Sequence, residues 1–589
     1  MTITRIFDIL GTYSSSEWNS KTAFAIKRNE QWVEFTGEQY LDLVDKISLG
    51  FLELGIKKGD KVATILKNSP EWNFIDMALL QIGAVQVPIY ATISDSNYSF
   101  IFNDAEVKLI FVSDLELYDR IKDVITETPS VLEVFSTESV GGIRQLDDII
   151  KMGAQSGKRH MLDQLKQGIE PADMATLIYT SGTTGMPKGV MLSHSNIVSN
   201  AIECNKILMQ NPVPRALSFL PLCHVLERIV NYVYQIGGLS IYYCDNLEKL
   251  GDQIRETKPG IFAAVPRVLE KTYEKIIAKG RDLKGLKKML FFWAVNLGER
   301  YEPSGKMGLW YRIQLALARK LIFSKWQAAL GGELKTIVSG GASLQERLAR
   351  VFMAAGYYVL EGYGLTETSP VIAVSRFTPG DLKVGTVGPI LPGVEVKIAE
   401  DGEILTRGPN LMMGYYKRPD LTDEVIDKEG WLHTGDIGEM QGKFLKITDR
   451  KKEIFKTSGG KYVAPQPLEN KLKESSFIEN VLVVGENKNF AAAIIVPAFT
   501  HLESWCHVKE RKYPGNKEAI KDEVIIKRIE REINEKNESL DQVEKIKKFA
   551  LVADSWTPDT GELSPTMKLK RKFLMRKYAL LIEEMYHQK

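Results

Sequence analysis

From Asp60 onward the stretch DKVATILKNSPEWNFIDMALLQIGAVQVPIY sets a short β-rich run, an amphipathic helical stretch and a second β-rich run in succession. This alternation predicts βαβ units, a parallel sheet with helices laid over it. It returns at KLIFVSD, LSFLPL, LSIYYC, GIFAAVP and LKTIVSGG, so an α/β domain is expected to fill most of the chain. After about Val384 the texture changes. VGTVGPILPGVEVKI and GEILTRGP are short runs punctuated by glycine and predict a β-rich subdomain. A last unit follows KFLKITDRKKEIFKTSGGKYVAP, with β-rich ENVLVVGENKNFAAAIIVPAF and a charged tract over about 517–548 that reads as a solvated helix. The charged turn Asp449-Arg450-Lys451-Lys452 lies between two β-rich runs, where few contacts should cross. It divides the chain into a large unit over 1–448 and a small one over 449–589.

Composition narrows the partners. A chain of 589 residues exceeds what one core supports. Lys and Arg number 77 against 75 Asp and Glu, a net charge of +2 that gives no global field for nucleic acid. Cys204, Cys223, Cys244 and Cys506 show neither C-x-x-C spacing nor a disulfide framework, which argues against structural zinc and reads as cytoplasmic. The N-terminus MTITRIFDIL lacks the pattern of a secretory signal. The longest uncharged run, Met77 to Ser94, carries Gln81, Gly83, Gln86 and Pro88, and reads as a buried helix passing into a strand rather than a membrane span.

Four clusters carry candidate chemistry. In YTSGTTGMPKGV every residue from Thr180 to Gly185 is a hydroxyl or a glycine, and Lys188 follows. Backbone amides, hydroxyls and an ammonium in such a turn can cradle phosphate, although the order is not that of a Walker loop and a plain turn is the alternative. In VLEGYGLTETSP, Tyr363 offers a stacking face, Thr366 a phosphate donor and Glu367 a hard oxygen ligand for Mg²⁺; the alternative is a strand end followed by a helix cap. Asp436 in GWLHTGDIG is a carboxylate suited to both hydroxyls of a ribose, or a turn residue. SGGAS, Ser339 to Ser343, lets the backbone run close along a flat ligand, or is a common loop.

In this order the clusters resemble the adenylate-forming superfamily of acyl-CoA synthetases, luciferases and peptide-synthetase adenylation domains. The resemblance spans nearly the whole chain through YTSGTTGMPKGV, LPLCHVLER, SGGAS, EGYGLTETSP, GWLHTGD, DRKKEIFKTSGGKYVAP and LSPTMKLKRK. LPLCHVLER, AAVPRVLEK, GYYKRPDLT, SPTMKLKRK and a long segment between Lys279 and Gly331 are most similar to long-chain fatty acid CoA ligases. Implied is a large multi-subdomain N-terminal α/β domain with a β-rich subdomain and a small mobile α+β C-terminal domain. The implied reaction activates a long-chain fatty acid with ATP to acyl-AMP and pyrophosphate, then transfers the acyl group to CoA. A fatty acyl-AMP ligase, a medium-chain synthetase and a non-catalytic nucleotide or lipid sensor are the alternatives.

The resemblance implies roles residue by residue. Thr180, Ser181, Gly182, Thr183, Thr184, Gly185 and Lys188 would cover the outer phosphates of ATP, with Thr183 and Glu367 at Mg²⁺. Gly341, Ala342, Tyr363 and Gly364 would line the adenine, Thr366 would meet the α-phosphate, and Asp436 and Arg450 would hold the ribose. His224 would sit near the acyl carboxylate, or serve in packing. Lys568 would reach both that carboxylate and the α-phosphate, with Lys570 as the alternative. So remote a lysine implies that the small domain turns about a hinge at Asp449, bringing Gly459 and Gly460 to face the pantetheine of CoA. The basic, aromatic insertion 281–330 is read either as helices packed on the body or as a surface facing a membrane or a second subunit. A homodimer and a cytoplasmic enzyme in peripheral membrane contact are the implied settings.

Overall fold

The alternation after Asp60 resolves into strand Lys61–Ile65, helix Pro70–Gln81 and strand Val85–Pro88, the two strands parallel. The structure is a computed structural model that describes residues 2–587 apart from 139–140, 182–185, 245, 306, 559 and 565–566. Among the described residues two eight-stranded sheets dominate. The first runs Gly414–Tyr415, Pro187–Ser193, Met174–Ser181, Val85–Pro88, Lys61–Ile65, Val107–Val112, Glu133–Ser136, Arg144–Gln145. The second runs Val371–Val374, Tyr358–Gly364, Thr336–Ser339, Ile261–Ala264, Arg215–Ser218, Ser240–Tyr243, Thr22–Arg28, Gln31–Thr36. Each has a parallel centre, as the βαβ pattern requires, and antiparallel pairing toward an edge.

Every residue of helix Pro70–Gln81 is buried, and helix Val225–Ile236 is nearly so, because both touch strands of the two sheets. Burial on all sides leaves their polar residues dependent on one another. Arg228 pairs with Asp76 at 2.6 Å, Gln235 Nε2 donates to Asn73 Oδ1 at 3.0 Å, and Asn73 Nδ2 donates to Tyr243 Oη at 2.7 Å. Arg228 also donates to Thr176 Oγ1 at 2.5 Å, which ties the pair of helices to the first sheet. Buried ions keep their charge only when paired in this way.

The glycine-punctuated region is less regular than expected. A four-stranded antiparallel sheet forms from Glu395–Ile398, Glu403–Arg407, Leu432–Gln441 and Phe444–Arg450, but VGTVGPILP contributes only isolated bridges. Gly388 shows why: it has φ +88°, and a Cβ there would lie 2.2 Å from Ser375 N, so the segment is a turn pressed onto a neighbouring strand.

Beyond Arg450 the chain builds a separate core drawn wholly from residues 455–585, around strands Ile478–Val484, Ala492–Pro497 and Lys548–Leu551. The charged tract is helical only over Asn516–Ala519 and Glu523–Asn537. Asn537 is the reason it stops. Its amide donates to Ile546 O at 2.9 Å and accepts from Ile546 N at 3.0 Å, turning the chain back so that Lys548–Leu551 joins the sheet.

In the basic insertion, helices Gly285–Glu299, Leu309–Ala318 and Ser324–Ala329, with the π-helical turn Arg319–Phe323, bury Phe291, Leu315, Phe323 and Trp326 against the large core. The outer face keeps Leu309 and Trp310 exposed at 74% and 71%. Among the described residues no helix is long and apolar enough to cross a membrane.

Replacing Asp76 by Ala leaves the Arg228 guanidinium buried without its counter-ion, a change worth about 3–5 kcal/mol. Calorimetry should show the transition of the large unit displaced downward and that of the separate 455–585 core unmoved; equal displacement of both would refute the division.

Candidate active site

A cleft of about 1680 Å³ opens where strands Thr336–Ser339 and Tyr358–Gly364 end, beside the Met174–Ser193 hairpin, the four-stranded sheet and the C-terminal unit. The carboxyl ends of parallel strands are the usual place for a ligand crevice, since the loops that follow converge there. The first phosphate candidate is a hairpin in which Thr180 pairs with Lys188. Both line the cleft, and Lys188 Nζ lies 5.0 Å from the centre of the Tyr415 ring. Gly182, Thr183, Thr184 and Gly185, with the side chain of Ser181, lie outside the described residues.

Gly364 sits where a Cβ would come within 1.6 Å of Pro370 O, so only glycine allows the turn that sets Thr366–Thr368 as a 3₁₀ turn on the cleft wall. Glu367 there accepts from Tyr415 Oη at 2.8 Å. Among the described residues no group of three or more His, Cys, Asp or Glu could hold a metal by itself. The Glu367 carboxylate on the cleft wall nevertheless suits Mg²⁺, which commonly takes one or two protein carboxylates and completes its shell from substrate phosphates and water.

Asp436 and Arg450 are cross-strand partners in the hairpin Leu432–Gln441/Phe444–Arg450, with Arg450 Nε 3.6 Å from Asp436 Oδ1. Tyr363, from the other side, donates its hydroxyl to Asp436 Oδ2 at 2.8 Å. Burial pushes the Asp436 carboxyl above its ordinary value against the pull of Arg450. Gly341 lines the same wall with φ +83°, whereas Ala342 next to it is exposed and is not among the residues that line the cleft.

His224 caps helix Val225–Ile236, its Nδ1 accepting from Leu226 N at 3.1 Å. Burial, and then the charge of Lys568, push its pKa down to about 4. The ring is therefore neutral near pH 7, and with Nδ1 engaged as acceptor its proton rests on Nε2. From His224 an apolar arm of the cleft follows one face of the helix, Ile229, Val230 and Val233, against Cys204, Ile207 and Val374. Nine residues of helix at 1.5 Å each make that arm about 13 Å long.

Further cations come from the separate C-terminal unit. Lys568 enters the cleft beside Asp436 and Arg450, and burial, followed by the Arg450 charge, pushes its pKa down to about 8. Lys570 also lines the cleft but is more exposed. Arg571, which sequence reasoning passed over, anchors this segment: it donates to Glu469 Oε1 at 2.7 Å and to Val483 O at 2.9 Å, and lies 3.4 Å from Glu453. Tyr415 was also passed over, although GYYKRPDLT contains it. Gly459 and Gly460 lie outside the cleft, exposed at the tip of the hairpin Phe455–Lys456/Tyr462–Val463. The cleft thus combines Lys188, Lys568 and Arg450 for anions, a carboxylate for hydroxyls, another for a hard cation, and an apolar arm for a hydrocarbon.

Comparison with known proteins matches residues 13–416 to the AMP-binding enzyme family and residues 452–589 to the AMP-binding enzyme C-terminal domain. The chain is 35% identical to the long-chain-fatty-acid–CoA ligase FadD15 of Mycobacterium bovis, covering 95% of this chain and 93% of that protein. It is 32% identical to human long-chain-fatty-acid–CoA ligase 1, over 94% of this chain and 82% of the human protein. Among solved structures, the adenylation domain of a carboxylate reductase from Mycobacterium chelonae superposes with a TM-score of 0.79 at 20% identity, covering 99% of this chain and 91% of that one. A Mycobacterium tuberculosis fatty acyl CoA synthetase gives 0.61 at 20% identity, covering 98% and 99%.

After reductive ¹³C-methylation, the Lys568 resonance, assigned by its loss in Lys568→Arg, should titrate near pH 8. A midpoint near the ordinary lysine value of about 10.4 would mean that the amine does not enter the cleft.

Proposed function

The chain belongs to the AMP-binding enzyme family, and on that premise we propose how its residues divide the work of a long-chain fatty acid–CoA ligase. It is an adenylate-forming enzyme. ATP and a long-chain fatty acid give acyl-AMP and pyrophosphate; CoA then takes the acyl group and AMP leaves. The difficulty lies in the first step, because a carboxylate is anionic and must approach an anionic phosphate. Aligning the two and neutralising the charge that develops are the protein's contributions.

The reading of residues rests on one observation: Lys568 of one folding unit reaches the wall of a cleft built by another. Its ammonium holds the fatty acid carboxylate against the α-phosphorus and balances charge on the phosphate oxygens. His224, neutral and with a proton on Nε2, donates to the carboxylate at the mouth of the apolar arm, and the arm takes the tail. Each methylene buried there contributes about 0.8 kcal/mol. Asp436 accepts from the ribose hydroxyls with Arg450 beside it, Tyr363, Gly364 and Gly341 bound the adenine while Ala342, off the cleft wall, is left out of that role, and Thr366 donates to the α-phosphate. The hairpin through Thr180, Ser181, Gly182, Thr183, Thr184, Gly185 and Lys188 covers the outer phosphates. Mg²⁺, held by Glu367 and Thr183 with the substrate phosphates, would supply charge neutralisation. For the second step the C-terminal unit turns about Asp449, withdrawing Lys568 and presenting Gly459 and Gly460, whose backbone leaves room for pantetheine.

The insertion 281–330 is assigned to peripheral contact with an anionic membrane surface. Leu286, Met289, Leu309, Trp310, Ile313 and Leu317 are exposed on it, among exposed Lys284, Lys287, Lys288, Arg312 and Lys320. Apolar side chains rimmed by lysine and arginine are the composition of interfacial helices.

Palmitate, ATP and CoA should yield AMP and pyrophosphate, not ADP and phosphate. Lys568→Ala should lower palmitate-dependent pyrophosphate exchange about 10²–10³-fold while leaving thioester formation from supplied acyl-AMP largely intact. Equal loss in both steps would count against the division of roles. Sedimentation with phosphatidylglycerol vesicles should retain the protein at low salt and release it at high salt, with Trp310→Ala weakening retention. No binding at low salt removes the membrane assignment.

A further inference from the structure

Helix Pro266–Arg281 carries a row of ions that face the C-terminal unit. Arg267 donates from Nη2 to Glu479 Oε1 at 2.9 Å and from Nη1 to the Glu479 carbonyl at 3.3 Å, while Lys271 Nζ lies 3.3 Å from the same carboxylate. Between these two cations the polarity reverses: Glu270 Oε1 lies 3.5 Å from Lys473 Nζ and accepts from Gln345 Nε2 at 3.0 Å. At the end of the helix Arg281 donates to His501 Nδ1 at 2.6 Å and to Ser476 Oγ at 3.1 Å. Asn470 Nδ2 donates to Ser343 Oγ at 2.9 Å, in the loop that carries Gly341. The residues of this dock do not line the cleft.

Such a surface differs in kind from a core. Apolar burial would fix two units permanently, whereas a mosaic of partly hydrated ion pairs holds a geometry and releases it, as polar interfaces between domains do. A single pair at a rim contributes little, but here Arg267 is shared between Glu270 and Glu479, and Glu479 between Arg267 and Lys271, so the charges act as a network. Glu479 is the node, as the one carboxylate of the C-terminal unit among the dock residues named above. Building on the proposed roles above, we infer that Glu479 is a positioning residue. Gripped by Arg267 and Lys271, it docks the C-terminal unit in the pose that delivers Lys568 for acyl-AMP formation, and its release precedes the transfer to CoA.

Glu479→Lys places a third cation against Arg267 and Lys271. Fatty-acid-dependent pyrophosphate exchange should then fall about tenfold or more in kcat with KM for ATP nearly unchanged, Glu479→Gln falling between, while thioester formation from supplied acyl-AMP holds or rises. An independent readout is the rate of disulfide formation in Ser343→Cys/Asn470→Cys, which should drop when Glu479→Lys is added. Exchange within about twofold of the parent, equal loss in both half-reactions, or an unchanged disulfide rate would overturn the inference. A parent chain without fatty-acid-dependent exchange would overturn the functional reading instead, and the disulfide rate would still decide whether Glu479 docks the unit.

Discussion

The Lys568 ammonium is held at the mouth of a cleft where Arg450 repels it and Asp436 and Glu453 attract it. Burial and the Arg450 charge make the ammonium costly, and the surrounding carboxylates offset that cost only in part, which leaves its pKa at about 8. Its position is decided at longer range. The segment that carries it is fixed by Arg571 to Glu469 and Val483, within a unit that has its own core, and that unit touches the rest of the molecule through polar contacts along helix Pro266–Arg281. The chemistry of one amine is thereby tied to the relative placement of two bodies.

The opposite arrangement governs the acid side. His224 and the apolar arm belong to helix Val225–Ile236, and Arg228, Asn231 and Gln235 on that helix are locked by hydrogen bonds into a buried lattice with Asp76, Asn73 and Tyr243. Such a lattice is rigid because each partner lost would leave another polar group orphaned in a dry interior. A wall with its neutral imidazole faces a cation supplied by a unit with its own core. The geometry supports a site that must be complete for one step and dismantled for the next.

Much of this was legible in the sequence because it is written locally. The βαβ alternation and the buried run after Met77 each follow from residues close together in the chain, whereas Asp436, for which a turn was the alternative, lies within strand Leu432–Gln441. Other features had no local trace. The hydroxyl of Tyr363 bonded to Asp436 joins positions 73 apart, where sequence reasoning offered only its ring face. Arg571 lies within a basic run and reads as a tail until Glu453 and Glu469 are seen beside it. The Arg267–Glu479 contact joins residues 212 apart in a pattern indistinguishable from ordinary surface charge. The tract after Asn537 misled because charge pattern reports solvation, while the chain reversal there is set by one side-chain amide bonded to Ile546.

Both margins of the first sheet end in strands of only two residues, Gly414–Tyr415 and Arg144–Gln145. A strand so short offers a foreign chain almost no row of free amides and carbonyls to extend, and proteins commonly blunt their margins this way against ordered self-association. The turn of the C-terminal unit proposed above would expose fresh surface at every turnover, and a sheet with so little template at its rim would tolerate that exposure without recruiting its neighbours.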